Sequence, residues 1–145
     1  MLRAYICSPY RARTEAELDE NIDYAQELTR RALMAGVAPI TPHLYLTQCL
    51  NDKKREERAV GMAAGMQLLK GCDFVIAGIK YGISEGMSRE IALADASGID
   101  VVNADKLGYY LRYIKRTYAI SWSAEDRIRK CQRELQRFFA EHQRE

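Results

Sequence analysis

Metal-binding and disulfide chemistry have little to work with in this chain. It has two histidines and four cysteines in 145 residues. Cys7, Cys49, Cys72 and Cys131 are scattered, with no Cys-x-x-Cys pair and no metal-ligand spacing, and His142 stands far from His43 near the end. They read as reduced thiols of a cytoplasmic protein. No apolar run approaches the ~20 residues of a membrane span, so no membrane partner is expected. The start, Met1-Leu2-Arg3-Ala4-Tyr5-Ile6, reads as a strand and lacks a signal-peptide cleavage pattern. A formal net charge of only +2 argues against nucleic acid as a partner. The run Lys53 to Arg58 mixes both signs, as a solvated helix face does. There is no Gly-x-Gly-x-x-Gly, no Walker A lysine, no repeat, no low-complexity tract and no linker.

What remains suits one domain over residues 1–145, long enough to bury a real core, with an ordinary 48% hydrophobic and 29% charged composition. Strand-like and helix-like segments alternate. Ala4–Cys7 is a short apolar strand broken by Ser8-Pro9-Tyr10. Thr14-x-x-Glu17 is a capping box that opens a helix with Leu18, Ile22, Ala25, Leu28 and Ala32 on one face, closed near Gly36. Val37–Ile40 is a second strand whose Pro39 suits an edge, followed by a loop, Thr41–Tyr45. A helix is expected from about Asp52 to Lys70, then a central apolar strand, Asp73–Ala77. The loop Gly78–Ser84 leads into a helix carrying Glu90, closed by Gly98. Ile99–Val102 is a fourth strand, and Ala104–Lys115 is helical. Tyr118–Trp122 is a candidate fifth strand, and Ser123 opens a last helix striped by Ile128, Cys131, Leu135, Phe138 and Phe139.

Strands separated by helix-length segments pair in parallel with right-handed crossovers. The expected fold is α/β, a three-layer sandwich of the flavodoxin or Rossmann type, with a doubly wound parallel sheet of about five strands. Ligands of such sheets bind beyond the carboxyl ends of the strands, where strand order reverses. That rule brings Ser8-Pro9-Tyr10-Arg11, Thr41-Pro42-His43, Gly78–Ser84 and the Glu90 helix start to one crevice.

Each segment also has an ordinary explanation. Ser8 to Arg11 is either a strand-to-helix turn or a loop in which backbone N–H groups and Arg11 or Arg13 hold a phosphate. His43 is either a packed core histidine or a polar wall of the pocket. Asp73 reads as a structural partner for a nearby backbone N–H. Ser84 suits a helix N-cap and can also meet a ligand. A helical glutamate is usually just exposed. Glu90, however, has the small neighbours Gly86, Ser88 and Ala92, while Met87, Ile91 and Ala94 turn toward the sheet and leave it facing the crevice.

Four stretches carry a resemblance: Tyr5-Ile6-Cys7-Ser8-Pro9-Tyr10-Arg11, Pro39-Ile40-x-Pro42-His43-Leu44-Tyr45, Cys72–Ile76, and Ser84-x-Gly86-Met87-x-x-Glu90-Ile91-x-x-Ala94. Together they resemble the nucleoside 2-deoxyribosyltransferase superfamily, and within it a small bacterial and phage branch, from Tyr5 to about Phe139. The resemblance implies an N-glycosidic-bond enzyme, either a hydrolase or a base-exchange transferase, acting on a nucleoside or nucleoside 5′-monophosphate. It casts Glu90 as the nucleophile and Tyr10 as a residue that orients Glu90 or stacks on the base. Substrate contacts would come from Ser8, Pro9, Arg11, His43, Ser84, Gly86 and Met87. A serine at position 84 tolerates a 5′-phosphate, which favours hydrolysis over transfer. No metal or organic cofactor is implied.

One departure stands out. Members of that superfamily commonly carry an aspartate where this chain has Gly65, and it helps the base leave. Glu57, His43 or Tyr45 could take that role instead. The superfamily also completes its site from a neighbouring subunit, so a homodimer or larger homo-oligomer is expected. The donated residue should lie within Asp105–Tyr110, with apolar surface supplied by Met62, Met66, Tyr109, Tyr110 and Tyr113. Two other readings remain: a nucleotide-binding module without turnover, favoured by Gly65, and cleavage of a dinucleotide such as NAD by the same glutamate. A flavin electron carrier fits least, since no loop reads as its phosphate site.

Overall fold

The computed structural model describes residues 1–117 and 132–133. Strand β1 (Arg3–Cys7) leads to helix α1 (Glu15–Met34), and β2 (Ala38–Ile40) to a 3-10 turn at Pro42–Leu44 and the one-turn helix α2 (Leu46–Cys49). Helix α3 (Arg55–Lys70), β3 (Phe74–Ala77), α4 (Glu85–Ala96), β4 (Asp100–Asn103), a second 3-10 turn and α5 (Leu107–Thr117) follow. The described sheet has four parallel strands in the order β2-β1-β3-β4. This is the doubly wound α/β fold the alternation implied, with four strands among the described residues. The candidate fifth strand at Tyr118–Trp122 and the helix stripe from Ile128 to Phe139 lie outside the described residues.

Side-chain alternation along the strands divides the core in two. Ala4 and Ile6 of β1 join Phe74 and Ile76 of β3 against Tyr24, Leu28 and Ala32 of α1 and Leu107 and Leu111 of α5. The intervening residues, Tyr5, Cys7 and Val75, face Leu69 of α3 and Met87 and Ala94 of α4. Helices therefore cover both faces. Pro39 does sit on an edge strand of the described sheet, where it costs the ladder little.

Local chemistry sets the element ends. The Thr14 hydroxyl accepts from the Glu17 N–H, but the Glu17 carboxylate reaches the Arg13 N–H, one residue before the partner a capping box would use. Gly36, at φ 73°, occupies the left-handed region just past α1. Asp73 accepts from the Arg3 N–H at 2.6 Å, the structural role expected of it. Helix α3 begins at Arg55, later than Asp52. The Asn51 side chain accepts from the Lys53 N–H and the Glu57 carboxylate accepts from the Asn51 N–H, which spends residues 51–54 on a turn.

Candidate active site at the carboxyl ends of the strands

The loops beyond the strands are tied to the helices behind them. Asn21 of α1 donates to the backbone carbonyls of Tyr10 and Arg11, which fixes the β1–α1 loop. Thr29 bonds Thr41 at 2.7 Å and so anchors the segment after β2. The Tyr24 hydroxyl accepts from the Lys80 N–H in the β3–α4 loop. Gly78 permits that contact, because a Cβ there would lie 2.3 Å from Leu28 and 2.9 Å from the Tyr24 ring. Where these loops meet α3 and α4, a pocket of about 150 Å³ opens. Its walls include Tyr5, Tyr10, His43, Asp52, Arg58 and Glu90.

Glu90 lies half-buried in this wall. The Tyr5 hydroxyl, itself buried under the sheet, donates to Glu90 Oε1 at 2.7 Å. Burial pushes the Glu90 carboxyl above its ordinary range, while hydrogen bonds from Tyr5 and the Cys7 thiol oppose that rise by favouring the anion. The same burial, reinforced by the Glu90 charge, pushes the Tyr5 phenol and the Cys7 thiol upward. Both therefore stay protonated and serve as donors. The Cys7 thiol also lies 3.9 Å from the Met87 carbonyl. Gly65 packs directly behind this cluster, where a Cβ would come within 3.2 Å of the Tyr5 hydroxyl oxygen.

His43 lines the opposite wall. Its Nε2 bonds the buried Ser8 hydroxyl at 2.9 Å, and burial lowers its pKa to about 4, so the ring is neutral near pH 7. The Tyr10 ring stands 6.0 Å from the His43 ring, tilted by 44°. Asp52 is met by Arg58 at 3.5 Å and Arg11 at 3.9 Å. Hydrogen bonds from the Asn51 N–H and Lys54 hold Glu57 below the usual carboxylate range. Arg89 reaches the pocket edge while paired with Glu85 of its own helix.

The structure brings together Tyr10, His43, Gly86 and Glu90 of the sequence-derived candidates. Others stand one step back. Ser8 and Pro9 are buried beneath the pocket, with Ser8 touching it through His43, and Arg11 is exposed and linked to it through Asp52. The Ser84 hydroxyl accepts from the Met87 N–H as the cap of α4, and the Met87 side chain belongs to the core. Neither forms part of the pocket wall. Met62 and Met66 face the pocket as well, while Tyr109 and Tyr113 are the exposed aromatics of α5.

Three residues went unnoticed in sequence: Tyr5, Asp52 and Arg58. Tyr5 left a faint signal, since a tyrosine inside a fully apolar strand must find a partner for its hydroxyl. Asp52 and Arg58 were masked by the surrounding mixed-charge run.

Comparison with known proteins adds a family and a fold. The family model described as "Domain of unknown function (DUF7768)" matches residues 3–104. No functionally curated protein matches the chain. Among solved structures, the chain is similar to a 2-deoxyribosyltransferase from the psychrotolerant bacterium Bacillus psychrosaccharolyticus. The TM-score is 0.51 at 18% identity, over 68% of this chain and 69% of that one. At that identity the likeness speaks to the fold.

Proposed function

The chain belongs to the DUF7768 family, whose description names no activity, and from its site we propose cleavage of the N-glycosidic bond of a nucleoside or nucleoside 5′-monophosphate. One observation carries the reading: a half-buried carboxylate, Glu90, held by a buried tyrosine hydroxyl in the wall of a pocket beyond the carboxyl ends of β1 and β3. Burial strips water from the carboxylate and raises its pKa, and the Tyr5 hydrogen bond opposes that rise by favouring the anion and orients it. Its Oε2 attacks the anomeric carbon as the base departs, giving a glycosyl ester through an oxocarbenium-like state. Water, or a second base, then resolves the ester. The similar fold of a 2-deoxyribosyltransferase supports sugar-to-base chemistry.

Hydrolysis is preferred to transfer on the strength of Arg11, whose exposed guanidinium beside Asp52 of the pocket wall suits a phosphorylated substrate. Gly86 lines the wall, Tyr10 and His43 flank the ligand, and Ser8, Pro9 and Met87 support these residues from behind. The enzyme is expected to work without a cofactor, in the cytoplasm, as a homodimer or larger assembly. Light scattering on the purified protein checks the last point, and a monomer at micromolar concentration contradicts it.

Incubation with a panel of nucleosides and 5′-monophosphates, read by chromatography for free base, tests the activity. Release from no member of the panel overturns it. Gly65 favours a second reading, a nucleotide-binding module without turnover. Calorimetric binding of a nucleotide that survives long incubation intact would decide for that module.

A further inference from the structure

A neutral purine or pyrimidine leaves a sugar as an anion unless something protonates it, and a positioned general acid is worth about 10²–10⁴ in rate. The described pocket has no carboxyl or imidazole free to give that proton. Position 65 is glycine, and a Cβ there would press to 3.2 Å from the Tyr5 hydroxyl that holds Glu90. An acid at this position would thus crowd the contact that holds Glu90. Asp52 is occupied as the acceptor of two guanidinium groups. Glu57 is engaged by the Asn51 N–H and Lys54, which hold it ionised. His43 is a neutral ring tied to Ser8.

The same groups suit a different leaving base. Asp52 and Glu57 are matched by Arg11, Arg58 and Lys54, and Arg89 is paired with Glu85. Among the described carboxylates of the pocket, Glu90, held by the neutral Tyr5 hydroxyl, is thus the one left to face a cation in the cavity. The Tyr10 and His43 rings offer flat surfaces for an aromatic cation, which the negative face of a tyrosine ring attracts.

We infer that the pocket selects N-glycosides whose base carries a fixed positive charge, such as an N-ribosyl pyridinium or an N7-alkylated purine. The inference rests on the Glu90 reading above. A Glu90 oxygen forms a bond to the anomeric carbon, and the carbon–nitrogen bond breaks with its electron pair passing to the ring nitrogen. That pair cancels the positive charge, so the base departs neutral and needs no proton. Water then attacks the anomeric carbon, the ester bond returns its electrons to Glu90, and the water proton goes to solvent.

The test uses wild-type protein and matched pairs: N7-methylguanosine against guanosine, and nicotinamide riboside against a neutral pyrimidine nucleoside. Each is supplied as riboside and as 5′-monophosphate, with the 2-deoxy forms where they are stable. Free base is measured by chromatography and corrected for spontaneous hydrolysis. The cationic members should react about 10²-fold faster or more, the neutral ones being slowed by the missing acid. Neutral partners cleaved within tenfold of the cationic ones would overturn this inference while leaving the Glu90 reading intact. Release from no compound of either charge would overturn both. Asp52→Asn should raise KM for the cationic substrates at least several-fold with little change in kcat, and an unchanged KM would also count against the inference.

Discussion

The two faces of one sheet are built from alternate residues of the same strands, yet they do different work. On the α1/α5 face, Ala4, Ile6, Phe74 and Ile76 meet other apolar side chains, and the contact is packing throughout. On the α3/α4 face, Tyr5 and Cys7 put a hydroxyl and a thiol beside Glu90, between Leu69 and Met87. A step of one residue along β1 thus separates a side chain that only packs from one that holds a carboxylate of the pocket wall. Burial is equally deep on both faces, since Tyr5 and Ile6 are each about 1% exposed or less. What differs is whether a buried polar group has been supplied with a partner.

The strongest way to break this contrast is at Glu90. Glu90→Gln should abolish base release, by about 10⁴-fold or more, because Asp52 and Glu57, the other described carboxylates of the pocket, are engaged by Arg11, Arg58 and Lys54. It should leave the fold intact and raise stability at neutral pH. The carboxyl of Glu90 sits above its ordinary range when folded, so its ionisation as pH rises costs stability. Chromatography and urea melts read the two effects separately.

Phe74→Ala tests the opposite face, with an expected loss of about 4 kcal/mol in stability. Turnover per folded molecule should hardly change, which denaturant titration combined with active-site counting would show.

His43 should leave a pH signature. Above pH 6.5 the ring is neutral folded or unfolded. As pH falls toward 4 the unfolded chain takes up a proton that the folded ring refuses, so stability declines across that window by roughly 3 kcal/mol at most. Subtracting the urea stabilities of His43→Gln from those of the wild type, from pH 7 to 4, isolates the effect. A flat difference would show that the ring is not buried as described.

Tyr5→Phe should reduce kcat about 10- to 100-fold without unfolding the protein. Loss of its hydrogen bond lets Glu90 rise further, so the acid limb of the kcat/KM profile should move to higher pH. A loss of rate with the limb unmoved would mean that Tyr5 acts by packing alone. Gly65→Ala is the mildest change. Its methyl meets the Tyr5 oxygen at 3.2 Å, so a few-fold drop in kcat and less than about 1 kcal/mol in stability are expected.

Much of the fold was legible because its signals are local. Thr14 and Ser84 announce helix starts through short side chains that reach their own backbone. The apolar stripe of Met87, Ile91 and Ala94 turns toward the core and leaves Glu90 facing the crevice, as the 3.6-residue period requires. Ser84 shows the limit of such reading. A capping serine and a ligand-touching serine look alike in sequence, and here the hydroxyl is spent on the Met87 N–H outside the pocket wall. The charged run Lys53–Arg58 misled in the other direction. It looked like a solvated helix face, but a turn at Asn51 swings Asp52 and Arg58 into the pocket. That turn depends on Glu57 reaching back to the Asn51 N–H, a contact that composition does not encode.

By itself the sequence determined the alternation of strand and helix, the doubly wound α/β class and the crevice side of Glu90. Those follow from periodicity and capping within a dozen or so residues. Only the tertiary structure decided that Tyr5, eighty-five positions away, holds that carboxylate. It also decided that Gly65 leaves the Tyr5 hydroxyl its room and that Asp52 and Arg58 face the pocket. Such contacts depend on which strands become neighbours and on sub-ångström clearances between side chains. Residue order carries that information only through the fold.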